Sequence, residues 1–230
     1  MYSIKKKSHF EELYHDFEQL SVALLKQLKL AQYVLENGWN QQTEEETEDN
    51  DIMINDLEVK ITDIFPILIT LYAPKAKELR NIISCHEATM FIEFIANISK
   101  SIIYDIKPLD FNTEELEELR NIISNIFTRL KEKVNAATYS YHKNDKEQAI
   151  NILNSKNEVK ELVLELKENI IASFQDIALS AQDLLTIITL NKIAQSLEKI
   201  DIHTLNIAKA TIFAIDGINM RYKNIQSKVL

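Results

Sequence analysis

Apolar residues recur near the start of the chain with helical spacing. Phe10, Leu13, Phe17, Leu20, Leu24, Leu28, Ala31 and Leu35 step by 3, 4, 3, 4, 4, 3 and 4 residues. At 3.6 residues per turn these positions form one stripe on a helix of roughly 28 residues, about 40 Å long. Leu116, Leu119, Ile123, Ile126, Leu130, Val134, Ala137 and Tyr141 repeat the same steps after a shift of 106 residues. A second correspondence runs without gaps at a shift of 105, placing residues 78–95 on 183–200. It sets Leu79 on Leu184, Ile82 on Ile187, Ile83 on Ile188, Glu93 on Glu198 and Ile95 on Ile200, and Leu57 on Leu162 at the same shift. The pattern predicts an all-α protein, a three-helix unit repeated twice. Six long antiparallel helices would form tandem three-helix bundles over 1–108 and 109–217, followed by a C-terminal tail at 218–230.

Helix breakers divide the chain compatibly. The stretch "NGWNQQTEEETEDND" (37–51) carries a glycine and an acidic run, and reads as a solvated loop after helix 1. Pro74 is placed to open helix 3, where its missing N–H costs little. Pro108 closes helix 3, and Asn112 or Thr113 is an N-cap candidate for helix 4. "HKNDKEQ" (142–148) marks the turn into helix 5, helix 5 yields to helix 6 near Ser173 or Asp176, and Gly217 stops helix 6.

Composition narrows the class. Two glycines and three prolines in 230 residues are too few for a turn-rich β-fold, and no glycine-rich phosphate loop exists. A net charge of −9 argues against nucleic acid as a partner, because phosphate binding draws on a Lys/Arg surplus. Cys85 is alone, which rules out an intrachain disulfide and fits a reducing compartment. The basic start of the chain turns charged where a signal peptide would continue apolar. The longest nearly unbroken apolar run, "IFPILITLYA", is about half the ~20 residues needed to span a bilayer. A cytoplasmic protein is expected, with membrane contact only through a partner.

Several stretches together resemble the PhoU family of bacterial phosphate-uptake regulators. In the first repeat they are "INDLEVKI" (54–61), "APKAKELRNII" (73–83) and "FIEFIANISKSI" (91–102); in the second, "DLLTIITLNKIAQSLEKIDIHTLNIAK" (183–209). The last is the nearest match, since family members read Leu-Glu-Arg-Ile-Gly-Asp-His-Ala-x-Asn-Ile-Ala there, and Leu197, Glu198, Ile200, His203, Asn206, Ile207 and Ala208 agree in place. The resemblance implies a non-enzymatic regulator that docks on a phosphate ABC transporter, a sensor kinase, or both, and forms a homodimer. It also implies a Glu/Asp-x-x-x-Asp motif on the third helix of each bundle that can hold clustered metal ions.

Both copies of that motif depart from the family pattern. In repeat one it reads Glu93-x-x-x-Asn97, with Ser101 where an asparagine follows in the family. In repeat two it reads Glu198-x-x-x-Ile202, with Asp201 at a usual glycine position. The candidate metal ligands are therefore Glu93, Asn97, Glu198 and Asp201, for a divalent ion such as Fe, Zn, Mg or Mn; no other cofactor is suggested. Such ions want several hard, preferably anionic oxygen donors. With anionic ligands missing from both copies, the alternative is that these groups are surface polar residues or are paired within the bundle.

Other polar clusters carry less. Glu12-x-x-His15 matches a di-iron half-motif but lacks a second copy. Cys85, His86 and Glu87 fan out around a helix, and Cys85 reads as a small buried side chain. His142 sits at a helix end, where an imidazolium meets the dipole. Two other functions fit a helical repeat of this composition: a metal-binding bundle, and an adaptor that kept the fold without the phosphate role.

Overall fold

The computed structural model describes residues 2–111, 114–175 and 178–220. They form α1 (Tyr2–Asn37), α2 (Gln41–Tyr72), α3 (Ala76–Ile106), α4 (Glu114–Lys143), α5 (Lys146–Asn154), α6 (Glu158–Phe174) and α7 (Ala181–Asp216), with no strand among the described residues. Helices α1, α2 and α3 pack on one another; α4 and α7 pack together, and α5 and α6 each pack on both. These are the two tandem bundles, with α5 and α6 together in the place of a single second helix.

The two long stripes form the core as the spacing requires. Leu13 through Leu35 on α1 and Leu116 through Tyr141 on α4 are buried along their stripes, and Phe10 packs against the core at its edge. The bundles join through the two third helices and the two first helices. α3 and α7 run antiparallel, with Lys192 on Asp105, His203 against Phe91 and Phe94, and Gly217 beside Arg80. α1 and α4 are likewise antiparallel, with the Phe17 ring tilted against Tyr141 and Gln32 bonded to Ser124.

Three boundaries differ from the sequence reading. The acidic stretch expected as a loop over 37–51 is helical from Gln41 onward. Asn40 caps it, its side chain accepting from the Thr43 N–H while Thr43 Oγ1 accepts from the Asn40 N–H. Periodicity missed this segment because its inward face is small and polar: Thr43, Thr47 and Asn50 are buried one turn apart before Ile54 resumes the apolar row. The Asn50 amide nitrogen donates to the Ala23 carbonyl and to Gln27 Oε1 on α1. Pro74 does not open α3 but precedes its N-cap, Lys75, by one residue. The helix expected as continuous after residue 146 breaks at 154–157, "NSKN", where asparagine and serine favour local turns over helix.

The remaining stops agree. α3 ends at Ile106, before Pro108, and α6 ends at Phe174, with Ser180 capping α7. Gly217 caps α7 in the left-handed region at φ 72°, and its N–H donates to the Phe213 carbonyl. The N-cap candidates Asn112 and Thr113, and Asp176, lie outside the described residues.

Candidate functional site

The four candidate ligands lie on α3 and α7, one turn or less apart on each helix. Glu93 and Asn97 are on the solvent side of α3, and the Asn97 amide donates to Glu93 Oε1 at 2.7 Å. Burial pushes the Glu93 carboxyl above its ordinary range; the Asn97 bond pulls it back, and the charges of Glu58 and Asp51 on α2 push it up further. Asp51 and Glu48 are themselves held by Lys100 of α3, whose Nζ stands 2.9 Å and 2.8 Å from them. Hydrogen bonds from Lys100 and Tyr104 hold the Glu48 carboxyl low.

On α7 the two acids point to different neighbours. Glu198 is half-exposed and meets Lys167 of α6 at 3.4 Å. Asp201 is buried, and Lys133 of α4 is buried opposite it, with Nζ to Oδ1 at 2.6 Å. Lys133 also donates to the Ser155 carbonyl at 3.2 Å, in the break between α5 and α6. One ammonium therefore ties α4, α7 and the broken second helix together. Burial raises the Asp201 carboxyl and Lys133 only partly offsets it. At the repeat-related positions stand Gln27 and Ala96, both buried, so repeat one is uncharged where repeat two carries an ion pair.

These donors do not fit a clustered metal centre. Asp201 already accepts a short charge-assisted bond, Glu93 is bonded to a neutral amide, and Ile202 offers no donor. Among the described residues no three His, Cys, Asp or Glu side chains converge as a metal set. A cleft of about 500 Å³ opens beside Lys133, lined by Arg129, Glu132, Gln148, Asn151 and Glu158 among others. Its charges are mixed and no reactive pairing appears among them.

The other polar residues singled out in the sequence do not converge on one another. Cys85 is fully buried, which pushes its thiol up to about 12 and leaves it un-ionised at neutral pH. Glu12 and His15 are exposed on α1. His142 lies in the last turn of α4, 4.0 Å from Glu18. His203 packs against Phe91 and Phe94, where burial and Lys199 lower its basicity.

Sequence reasoning missed Lys133, Lys167 and Lys100, the cations that hold these acids. For Lys133 a signal was present: it falls three residues after Leu130 and four before Ala137, inside the buried row of α4.

The family model described as "PhoU domain" matches twice, over residues 17–106 and 115–211. A crystal structure of PhoU from Pseudomonas aeruginosa superposes with a TM-score of 0.81 at 18% identity, covering 92% of this chain and 99% of that one. The phosphate transport system regulatory protein PhoU from Streptococcus pneumoniae superposes with a TM-score of 0.74, also at 18% identity, covering 95% of this chain and 99% of that one. No curated protein sequence matches the chain.

Proposed function

Because the chain belongs to the PhoU family, we propose that it is a non-enzymatic regulator of phosphate uptake and phosphate-starvation signalling. It acts by docking on a phosphate transporter complex, on the partner sensor kinase, or on both. The observation that carries this reading is the family match to both repeats, which spans most of the chain. Long helices with packed cores offer rigid outer faces for docking, and no step of the proposed action requires a bound metal or a reacting side chain. The regulatory unit is both bundles together, over 1–108 and 109–217, working in the cytoplasm as a homodimer. Among the described residues no helix is long and apolar enough to cross a membrane, so in this reading contact with a membrane complex is made through the partner.

Titrating the purified chain against the detergent-solubilised phosphate ABC transporter and against the cytoplasmic part of the sensor kinase of the same organism tests the proposal. A saturable complex with at least one of them is expected. Absence of a complex with both, at concentrations where the chain stays folded, would contradict docking as the mode of action.

A further inference from the structure

The outward face of α2 has a repeat of its own. Asp49, Asp56 and Asp63 are seven residues apart, and Ile52, Val59 and Pro66 form a second seven-residue series three residues further on. Seven residues advance a straight helix by two turns less about 20°, so both series lie side by side along one seam. All six side chains are exposed, on the side away from the buried row Ile54, Leu57, Ile61, Phe65 and Leu68. Ile52 is 58% and Val59 53% exposed. Among the described residues Asp49, Asp56 and Asp63 have no ion-pair partner.

The same seam recurs in the second repeat. At a shift of 105, Asp56 falls on Glu161, Val59 on Leu164, Asp63 on Glu168 and Pro66 on Ile171. These four are again exposed, Leu164 by 57% and Ile171 by 68%. A solvated face needs its acids but has no use for aliphatic residues in step with them. A heptad row of acids beside a heptad row of apolar residues offers a facing helix one charged and one apolar contact per heptad, the charges setting register as flanking charges do in a coiled coil.

We propose that the outward faces of α2 and α6 are equivalent docking seams for a basic amphipathic helix of a partner protein, with Lys or Arg in one heptad position and an aliphatic residue in the other. Cations opposite Asp49, Asp56 and Asp63 would fix the register, and the aliphatic row would cover Ile52 and Val59. A second copy of this chain laid on the seam would oppose acid to acid, and an anionic bilayer would be repelled. The α2 seam spans about 26 Å from Asp49 to Pro66, the length of about two and a half heptads of partner helix. The inference does not require the partner to be a phosphate transporter or kinase, so it can fail independently of the proposed function.

The probe is a fluorescein-labelled peptide of three heptads with Lys and Leu in the two seam positions; a version with Glu replacing Lys is the control. By fluorescence anisotropy at low salt, the full chain should bind the Lys peptide saturably and the Glu peptide at least tenfold more weakly. The substitutions D49K, D56K and D63K should halve the number of peptides bound per chain, and adding E161K and E168K should weaken the remaining binding at least tenfold. An equal number of reversals elsewhere, E12K, E117K and E118K, should leave binding within twofold. Hydrogen exchange should show peptide-induced protection on α2 and α6. Circular dichroism checks that each variant is folded; should the charge reversals unfold the chain, Ile52→Ser with Val59→Ser must halve the number of peptides bound, and adding Leu164→Ser with Ile171→Ser must weaken the rest at least tenfold. The proposal is overturned by no binding, by equal loss in the remote reversals, or by protection confined to other helices. Self-association abolished by the Ile52 and Val59 substitutions, with no peptide competition, overturns it in favour of a second copy.

Discussion

Lys133→Met tests the reading of the second repeat most sharply. The substitution keeps the volume of the stem but removes the ammonium 2.6 Å from Asp201, leaving a buried carboxylate without its counter-ion. Removing one member of a buried pair costs about 3–5 kcal/mol, whereas replacing both with well-packed apolar groups is neutral or favourable. At about 2–4 °C per kcal/mol for a chain of this size, the single variant should melt roughly 6–20 °C below the parent. Lys133→Met with Asp201→Leu should recover most of that loss. The effect also has a pH signature. Asp201 already has a raised carboxyl, burial being the largest cause, and losing Lys133 raises it further. A raised folded pKa means the folded state holds the proton more tightly, so stability is gained as pH falls through that value and the gain is complete below the unfolded value of about 3.9. The deficit of the single variant should therefore be largest at neutral pH and shrink on acidification. Urea denaturation followed by far-UV circular dichroism at pH 7 and pH 5 measures both. A double variant as unstable as the sum of the two single ones would refute the account of a compensated buried pair.

Four further outcomes follow from other parts of the molecule. Lys100→Met should cost about 1 kcal/mol at neutral pH, because its pairs with Glu48 and Asp51 are partly exposed; since Glu48 is held low, its contribution is present above the unfolded carboxylate value and lost as pH falls, so the variant should match the parent in acid urea melts. Leu24→Ala and Leu130→Ala, at fully buried and repeat-related positions, should each cost about 2–5 kcal/mol by denaturant unfolding. Gly217→Ala should cost about 1 kcal/mol, because the residue is left-handed and an added Cβ would stand 3.2 Å from Arg80 Nε. Chelator treatment followed by addition of Mn, Fe(II) or Zn should leave the melting temperature unchanged, since Asp201 is held by Lys133 and Glu93 by Asn97.

The architecture was legible because its signal is redundant. Two apolar stripes with identical steps, one shifted by 106 residues, specify both the helix and its repetition before any packing is known. The beginning of α2 was not legible for a physical reason. Thr43, Thr47 and Asn50 bury polar groups whose partners, a backbone carbonyl and Gln27, come from α1 or the preceding turn. Nothing local distinguishes such residues from a solvated loop. The break between α5 and α6 was similarly hidden, since Asn154, Ser155 and Asn157 lower helix propensity without forbidding helix. The candidate ligands were found but their neighbours were not. Helical spacing shows that Glu198 and Asp201 share a side of α7, but it cannot show that Lys167 faces one and Lys133 the other, because those contacts cross 31 and 68 residues of chain.

The central claim, a regulator of phosphate transport, is tested most directly by radiolabelled phosphate uptake in a strain lacking the gene, grown in phosphate-replete medium. Uptake and alkaline phosphatase output should rise above wild type and return to normal when the gene is restored. Uptake and phosphatase output identical to wild type would contradict it.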